Sequence, residues 1–179
     1  MNVDMRYDGH KVTWRGHGEF NATSGLPGYQ VRHNQCLREQ GPIPEGVYTI
    51  DVRDDLRRAR DDGTHQCQLK WSPVIQSIPR GDAAGVCEPV WANWGRNRVA
   101  LNPLDDRTKK ACAPQRGGFF LHDSAKGYTH GCIEIEARFF EGLKSYREGM
   151  QRMLSPMREI LFLQVMYFFE TTNGGTRIP

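Results

Sequence analysis

One stretch of the chain, EARFFEGLKSYREGMQRML at 136–154, repeats its apolar residues at helical spacing: Phe139, Phe140, Leu143, Tyr146, Met150 and Leu154. Glu134 and Glu136 ahead of it suit a helix N-terminus, and Pro156 stops it. Over the whole chain 19 glycines and 10 prolines break up the 179 residues, which favours strands joined by turns outside that stretch. MRYDGHKVTW alternates polar and apolar residues around Asp8-Gly9 and reads as a hairpin. GEFNATSG, GPIPEGVYTIDV, CQLKWSPVIQSI, NRVALN and GGFFLHD read as further short strands. EILFLQVMYFFE reads as a closing strand, with a buried helix as the alternative. The expected class is mostly β (α+β), with one or two helices.

No repeat, low-complexity tract or linker divides the chain, so residues 1–179 are expected to form one domain. A net charge of +3 is too small to imply nucleic acid. The mixed signs of RDDLRRARDDG, 53–63, read as a solvated helix or loop face. The start of the chain carries Asp4 and Asp8 and does not read as a secretory signal peptide. The most apolar run, 160–169, is about half of what a membrane helix needs, so no membrane insertion is expected.

The cysteines are Cys36, Cys67, Cys87, Cys112 and Cys132, without a C-x-x-C pair. The first four fall in polar, turn-rich contexts; Cys132 lies between THG and an apolar IEI. The simplest arithmetic is two disulfides and one free thiol, with three pairings open. Bridges imply an oxidising compartment, and five reduced cysteines in a cytosolic protein are the alternative.

FFLHDSAKGYTHGCIEI, 119–135, places two histidines and a thiol within eleven positions. A cysteine nucleophile needs a lowered pKa, a base within reach and donors for the oxyanion it creates. Cys132 follows a glycine and precedes the helix, so its thiolate is expected near backbone N–H groups and the helix's positive end. Gly131 and Cys132 N–H groups would face a carbonyl oxygen. His122, ending a strand, can take the thiol proton; His130 is the other candidate base, or shapes the pocket. A zinc site of His122, His130, Cys132 and Cys112 is a third reading, but the spacing matches no common zinc pattern. Arg96, Arg98 and Arg116 can bind a carboxylate, although ordinary surface charge is the first expectation.

These residues resemble the L,D-transpeptidase catalytic domain, whose signature is a histidine, a loop, then Ser/Thr-His-Gly-Cys and an apolar residue. Thr129, His130, Gly131, Cys132 and Ile133 match it, and His122 matches the upstream histidine. FNATSGLPG and GPIPEGVYTI are similar to segments of a subgroup known mainly as type VI secretion effectors. The likeness leaves about 54–115 unaligned. Six residues separate His122 from Thr129, a loop shorter than in the wall-building enzymes. Glu134 stands where those enzymes often carry arginine, and would repel an incoming carboxylate unless it points away.

The resemblance implies an L,D-transpeptidase-like β-sandwich and an antibacterial, peptidoglycan-modifying cysteine enzyme. Cys132 would attack the carbonyl at the L-centre of diaminopimelate in a tetrapeptide stem, releasing D-alanine. Water then completes an L,D-carboxypeptidase reaction, a D-amino acid an exchange, and a second stem a cross-link. His122 would be base and acid, with His130 and Thr129 orienting the site. No cofactor is implied. The implied partners are peptidoglycan stems, secretion machinery and an immunity protein, with action in a target bacterium's periplasm after export without a signal peptide. A cysteine amidase or endopeptidase and a non-catalytic binding domain are the rival readings; papain-like enzymes usually place Cys before His.

Overall fold

The computed structural model describes residues 2–53, 57–152 and 158–176. Ten strands form: β1 Met5–Tyr7, β2 Lys11–Trp14, β3 Gly18–Ser24, β4 Gly46–Asp51, β5 Arg57–Arg58, β6 Gln76–Ser77, β7 Asn97–Pro103, β8 Phe119–His122, β9 Ile133–Ile135 and β10 Ile160–Val165. Three α-helices accompany them among the described residues, besides four short 3-10 turns: two single turns, α1 Glu88–Trp91 and α2 Asp106–Lys109, and the long α3 Arg138–Arg152. The class is therefore mixed α+β, dominated by strands.

The first hairpin forms because Asp8 organises its turn. Its carboxylate accepts the N–H groups of His10 and Lys11, each at 2.8 Å, while Gly9 supplies the positive φ of 110°. β10 returns as a strand, not a helix. Leu161, Leu163 and Val165 point inward on alternate positions, and the strand pairs in parallel with β1 and antiparallel with β4.

The ladder runs β4-β10-β1-β2-β3-β9-β8-β7, and β7 pairs back to β4 through Tyr48↔Pro103 and Thr49↔Asn102. Eight strands thus close into a barrel where two stacked sheets were expected. The physical reason lies in β3 and β7, at seven residues long enough to serve two neighbours each. β3 pairs with β2 through residues 18–21 and with β9 through 22–24. β7 meets β6 and β8 with its first part and β4 with its end. β6 and β5 extend from β7 outside the ring. The stretch 67–78, expected to be one strand, contributes only Gln76–Ser77.

One large core fills the barrel and continues under α3. Phe139 meets Phe20 and Trp14, with ring centroids 5.2 and 5.7 Å apart, and Phe140 and Leu143 are fully buried beside it. Tyr146 packs partly against the same core. The expected helix stop at Pro156 and the apolar position Leu154 lie outside the described residues. The helix starts later than its acids suggested: Ile133, Glu134 and Ile135 are strand, and α3 begins at Arg138. Two β-branched isoleucines flanking Glu134 suit a pleated, buried strand better than a first helical turn. In the charged stretch 53–63, residues 54–56 are outside the described set, β5 occupies 57–58, and Arg58 and Arg60 are exposed.

A second, smaller core of Ala59, Ile78, Ala84, Cys87 and Trp91 lies beside the barrel, with Cys67, Leu69 and Trp94 against it. Two disulfides form, Cys36–Cys112 and Cys67–Cys87, and Cys132 remains a free thiol. The expected arithmetic of two bridges and one thiol therefore holds. Cys112, bridged to Cys36, has no thiolate to give, which removes the four-ligand zinc reading.

Candidate active site

Cys132 sits directly before β9, between Gly131 and Ile133. Gly131 is required there: its φ is 115°, and a Cβ would lie 2.4 Å from a guanidinium nitrogen of Arg116. Thr129 and Ser24 hold the loop from below. The Thr129 hydroxyl donates to the Cys132 carbonyl at 2.6 Å and accepts the N–H groups of Gly25 and Gly131 at 3.1 and 3.2 Å. The Ser24 hydroxyl donates to the same carbonyl at 2.8 Å and accepts Ile43 N–H at 2.9 Å. The FNATSG and GPIP segments, far apart in the chain, therefore meet under the thiol.

Thr129 takes the Gly131 N–H, so that group does not face a substrate as expected. Among the described residues the Cys132 N–H has no acceptor and is the one of the pair left free to donate. The expected helix end is absent too, because β9 separates Cys132 from α3.

His122 ends β8. Across the sheet it is level with Arg98 of β7 on one side and Glu134 of β9 on the other. Gln76 lies beyond Arg98 and Thr23 beyond Glu134, so five adjacent strands contribute one polar row, all of it buried. Paired residues share a face, which brings these side chains together. The Ser124 hydroxyl lies 3.1 Å from His122 Nδ1 and also donates to the Glu134 carboxylate. A carboxylate only accepts, so the single hydroxyl hydrogen points to Glu134, and Ser124 oxygen accepts Nδ1–H from His122. The tautomer is thereby fixed, leaving His122 Nε2 as the unprotonated nitrogen. Glu134 itself is fully buried and also accepts the Lys126 and Gly127 N–H groups and the Thr176 hydroxyl. It points away from the cavity, so it does not repel a carboxylate there.

His122 and Cys132 line one cavity of about 290 Å³. Val90, Asn93 and Trp94 form one wall, Lys126 and Tyr128 another, with Thr129 and His130 at the loop. Trp94 stands edge-on to His122 at 5.4 Å. Its turn is pinned by Asp123, whose carboxylate accepts Arg96 and Asn97 N–H at 2.6 and 2.8 Å, and Gly95 allows that close approach. His130 is exposed at the rim, with Nδ1–H donated to the Glu39 carbonyl at 2.9 Å. Of the two candidate bases, His122 is thus the one with a buried, charge-backed orienting chain.

The sulfur accepts Phe120 N–H at 3.4 Å. Burial nevertheless pushes the thiol up to about 11, against the lowering pull of Phe120 N–H, Arg98, Lys126 and Arg116. The thiol is crowded by protein but lines an open cavity and is half-buried, so water works against the full rise; the direction still leaves it neutral at pH 7. Burial, then the charges of Lys126 and Arg98, hold His122 down at about 3. The expectation of an easily ionised sulfur is therefore corrected: the resting pair is neutral thiol and neutral imidazole.

Arg98 and Arg116 are also not surface charges. Arg98, 2% exposed, lies between the Trp94 and Phe120 rings at 4.6 and 4.4 Å and donates to Gln76 and the Leu69 and Lys70 carbonyls. Arg116 donates to the carbonyls of Gln35, Gly41 and Pro42. Neither guanidinium lines the cavity; Arg96 is exposed. Ser124 and the buried role of Glu134 escaped the sequence reading, as did Lys126.

No protein-family model matches this chain, and neither does any curated protein.

Proposed function

We propose that this protein is a cysteine acyltransferase of the L,D-transpeptidase type, acting on peptidoglycan tetrapeptide stems as an L,D-carboxypeptidase and D-amino-acid exchanger. The observation that carries the reading is a free thiol sharing one cavity with an imidazole whose Nε2 is kept unprotonated by Ser124 and Glu134. The Thr-His-Gly-Cys signature and upstream histidine supply the substrate class. In support of an L,D-transpeptidase-like sandwich, β3 and β7 each pair with different neighbours along their length, as strands shared between two sheets do.

On this reading the Cys132 proton passes to His122 Nε2 as sulfur bonds to the diaminopimelate carbonyl carbon. Cys132 N–H accommodates the oxyanion, and the buried cations Arg98 and Arg116 favour the negative charge. The carbon–nitrogen bond then breaks, His122 returns the proton to the departing D-alanine amine, and a thioester remains. Water or the amine of a D-amino acid attacks it by the same proton route in reverse.

The two disulfides support an oxidising place of action, here a target cell's periplasm, with delivery by a type VI secretion machine and a periplasmic immunity protein as partner. Among the described residues no helix is long and apolar enough to cross a membrane. The test is mass spectrometry of purified tetrapeptide muropeptide incubated with and without a D-amino acid. The expected products are tripeptide plus D-alanine, and the exchanged tetrapeptide. Cys132→Ala should abolish both while keeping the wild-type fold. Release of a larger peptide fragment would instead favour an endopeptidase.

A further inference from the structure

We propose that Lys126 anchors a free carboxylate in the cavity: that of the D-amino acid that leaves the Cys132 acyl group or attacks it. This deepens the acyl-transfer reading and rests on it. Three cations act on the thiol, Arg98, Lys126 and Arg116. The two arginines are engaged by protein carbonyls and an amide oxygen, away from the cavity surface. Lys126 alone of the three lines the cavity with His122 and Cys132.

Lys126 also lacks a committed counter-charge. Among the described residues no carboxylate lies within 4.0 Å of its ammonium. Glu134 is the acid whose charge it feels, but the Glu134 oxygens are taken by Ser124, two backbone N–H groups and Thr176. The ammonium instead rests 4.7 Å over the Tyr128 ring, and burial lowers its pKa. Among the described residues no Asp or Glu lines the cavity. An entering anion therefore meets one half-desolvated ammonium resting over the Tyr128 ring, and no carboxylate among the described lining residues that would repel it.

The chemistry sets the reach. In a released amino acid the carboxylate is one carbon beyond the nitrogen, so the anchor must share a cavity with the sulfur, as Lys126 does. A stem with one residue beyond the scissile bond satisfies this; one with two residues, or an amidated end, does not. The incoming D-amino acid occupies the same place, so hydrolysis and exchange share the anchor only in their acylation step.

The test uses iodoacetate and iodoacetamide on the intact, oxidised protein. Each alkylates the Cys132 sulfur with loss of iodide, and the two differ in one negative charge. Peptide mapping reports labelling at Cys132. The rate ratio of acid to amide should exceed that of a small free thiol, fall roughly tenfold in Lys126→Met, and survive in Lys126→Arg. In parallel, Lys126→Met should raise KM for the tetrapeptide and erase its preference over the C-terminal amide. A ratio unchanged in Lys126→Met overturns the proposal, as does equal loss with both reagents or a Cys132 that neither labels. A ratio that falls without any muropeptide turnover would keep the anion anchor and sink the peptidoglycan reading; turnover with an unchanged ratio would do the reverse.

Discussion

At the scale of residues, Ser124 is the hinge of the site, because one hydroxyl decides which imidazole nitrogen carries the proton. Ser124→Ala removes the acceptor for His122 Nδ1–H and one donor to Glu134. The expected result is a fall in kcat of roughly ten- to a hundredfold with KM little changed, and recovery in Ser124→Thr. A merely structural serine would instead lower the melting temperature without that split. His122 also carries a pH signature. Its folded pKa, about 3, lies below the ordinary 6.5. Between those values the unfolded imidazole binds a proton that the folded one refuses, so the contribution to stability is complete above 6.5 and is lost as pH falls towards 3. In thermal melts, His122→Gln should lose less stability than the wild type over that acid window. An identical slope would show that His122 is not held neutral in the fold.

At the scale of elements, one cavity wall is held between the barrel and a small satellite core. Trp94 follows α1 by three residues, α1 follows Cys87, and the Trp91 indole N–H donates to the Cys67 carbonyl at 2.8 Å. The Cys67–Cys87 bridge therefore ties down the segment that carries Val90, Asn93 and Trp94. Replacing both cysteines by serine should cost about 3 kcal/mol. It should also depress turnover more than it depresses iodoacetamide labelling of Cys132, because the wall loosens while the thiol loop stays on the barrel. Calorimetry with parallel rates checks both. These elements differ in how clearly the sequence announces them. Alternation exposed the hairpin, β-branched and aliphatic composition exposed β4 and β10, and helical spacing exposed α3. The start of α3 was obscured because Glu134 and Glu136 resemble a helix's opening acids, whereas Glu134 is a buried strand residue satisfied by four donors. The satellite core was illegible: its strands are two residues long and its contacts run through a disulfide.

At the scale of the whole molecule, the site is assembled by sheet order. His122 and Cys132 were visible because they lie in one short segment with a glycine between histidine and thiol. The row Gln76, Arg98, His122, Glu134 and Thr23 was not, since each residue comes from a different strand and only register aligns them. Arg98 and Arg116 look like solvent-facing charges in a linear chain; a pair of aromatic rings and a set of loop carbonyls make them interior.

The closure of eight strands on themselves has one more consequence. A sheet that ends exposes backbone donors and acceptors on which a second copy can template itself. In this ladder the strands between β4 and β7 have neighbours on both sides, and the arm beyond them terminates in two consecutive arginines, Arg57 and Arg58. A second copy approaching through that rim would set the exposed Arg58 against its own like charge, which disfavours templating at the one end of the described ladder that stays open.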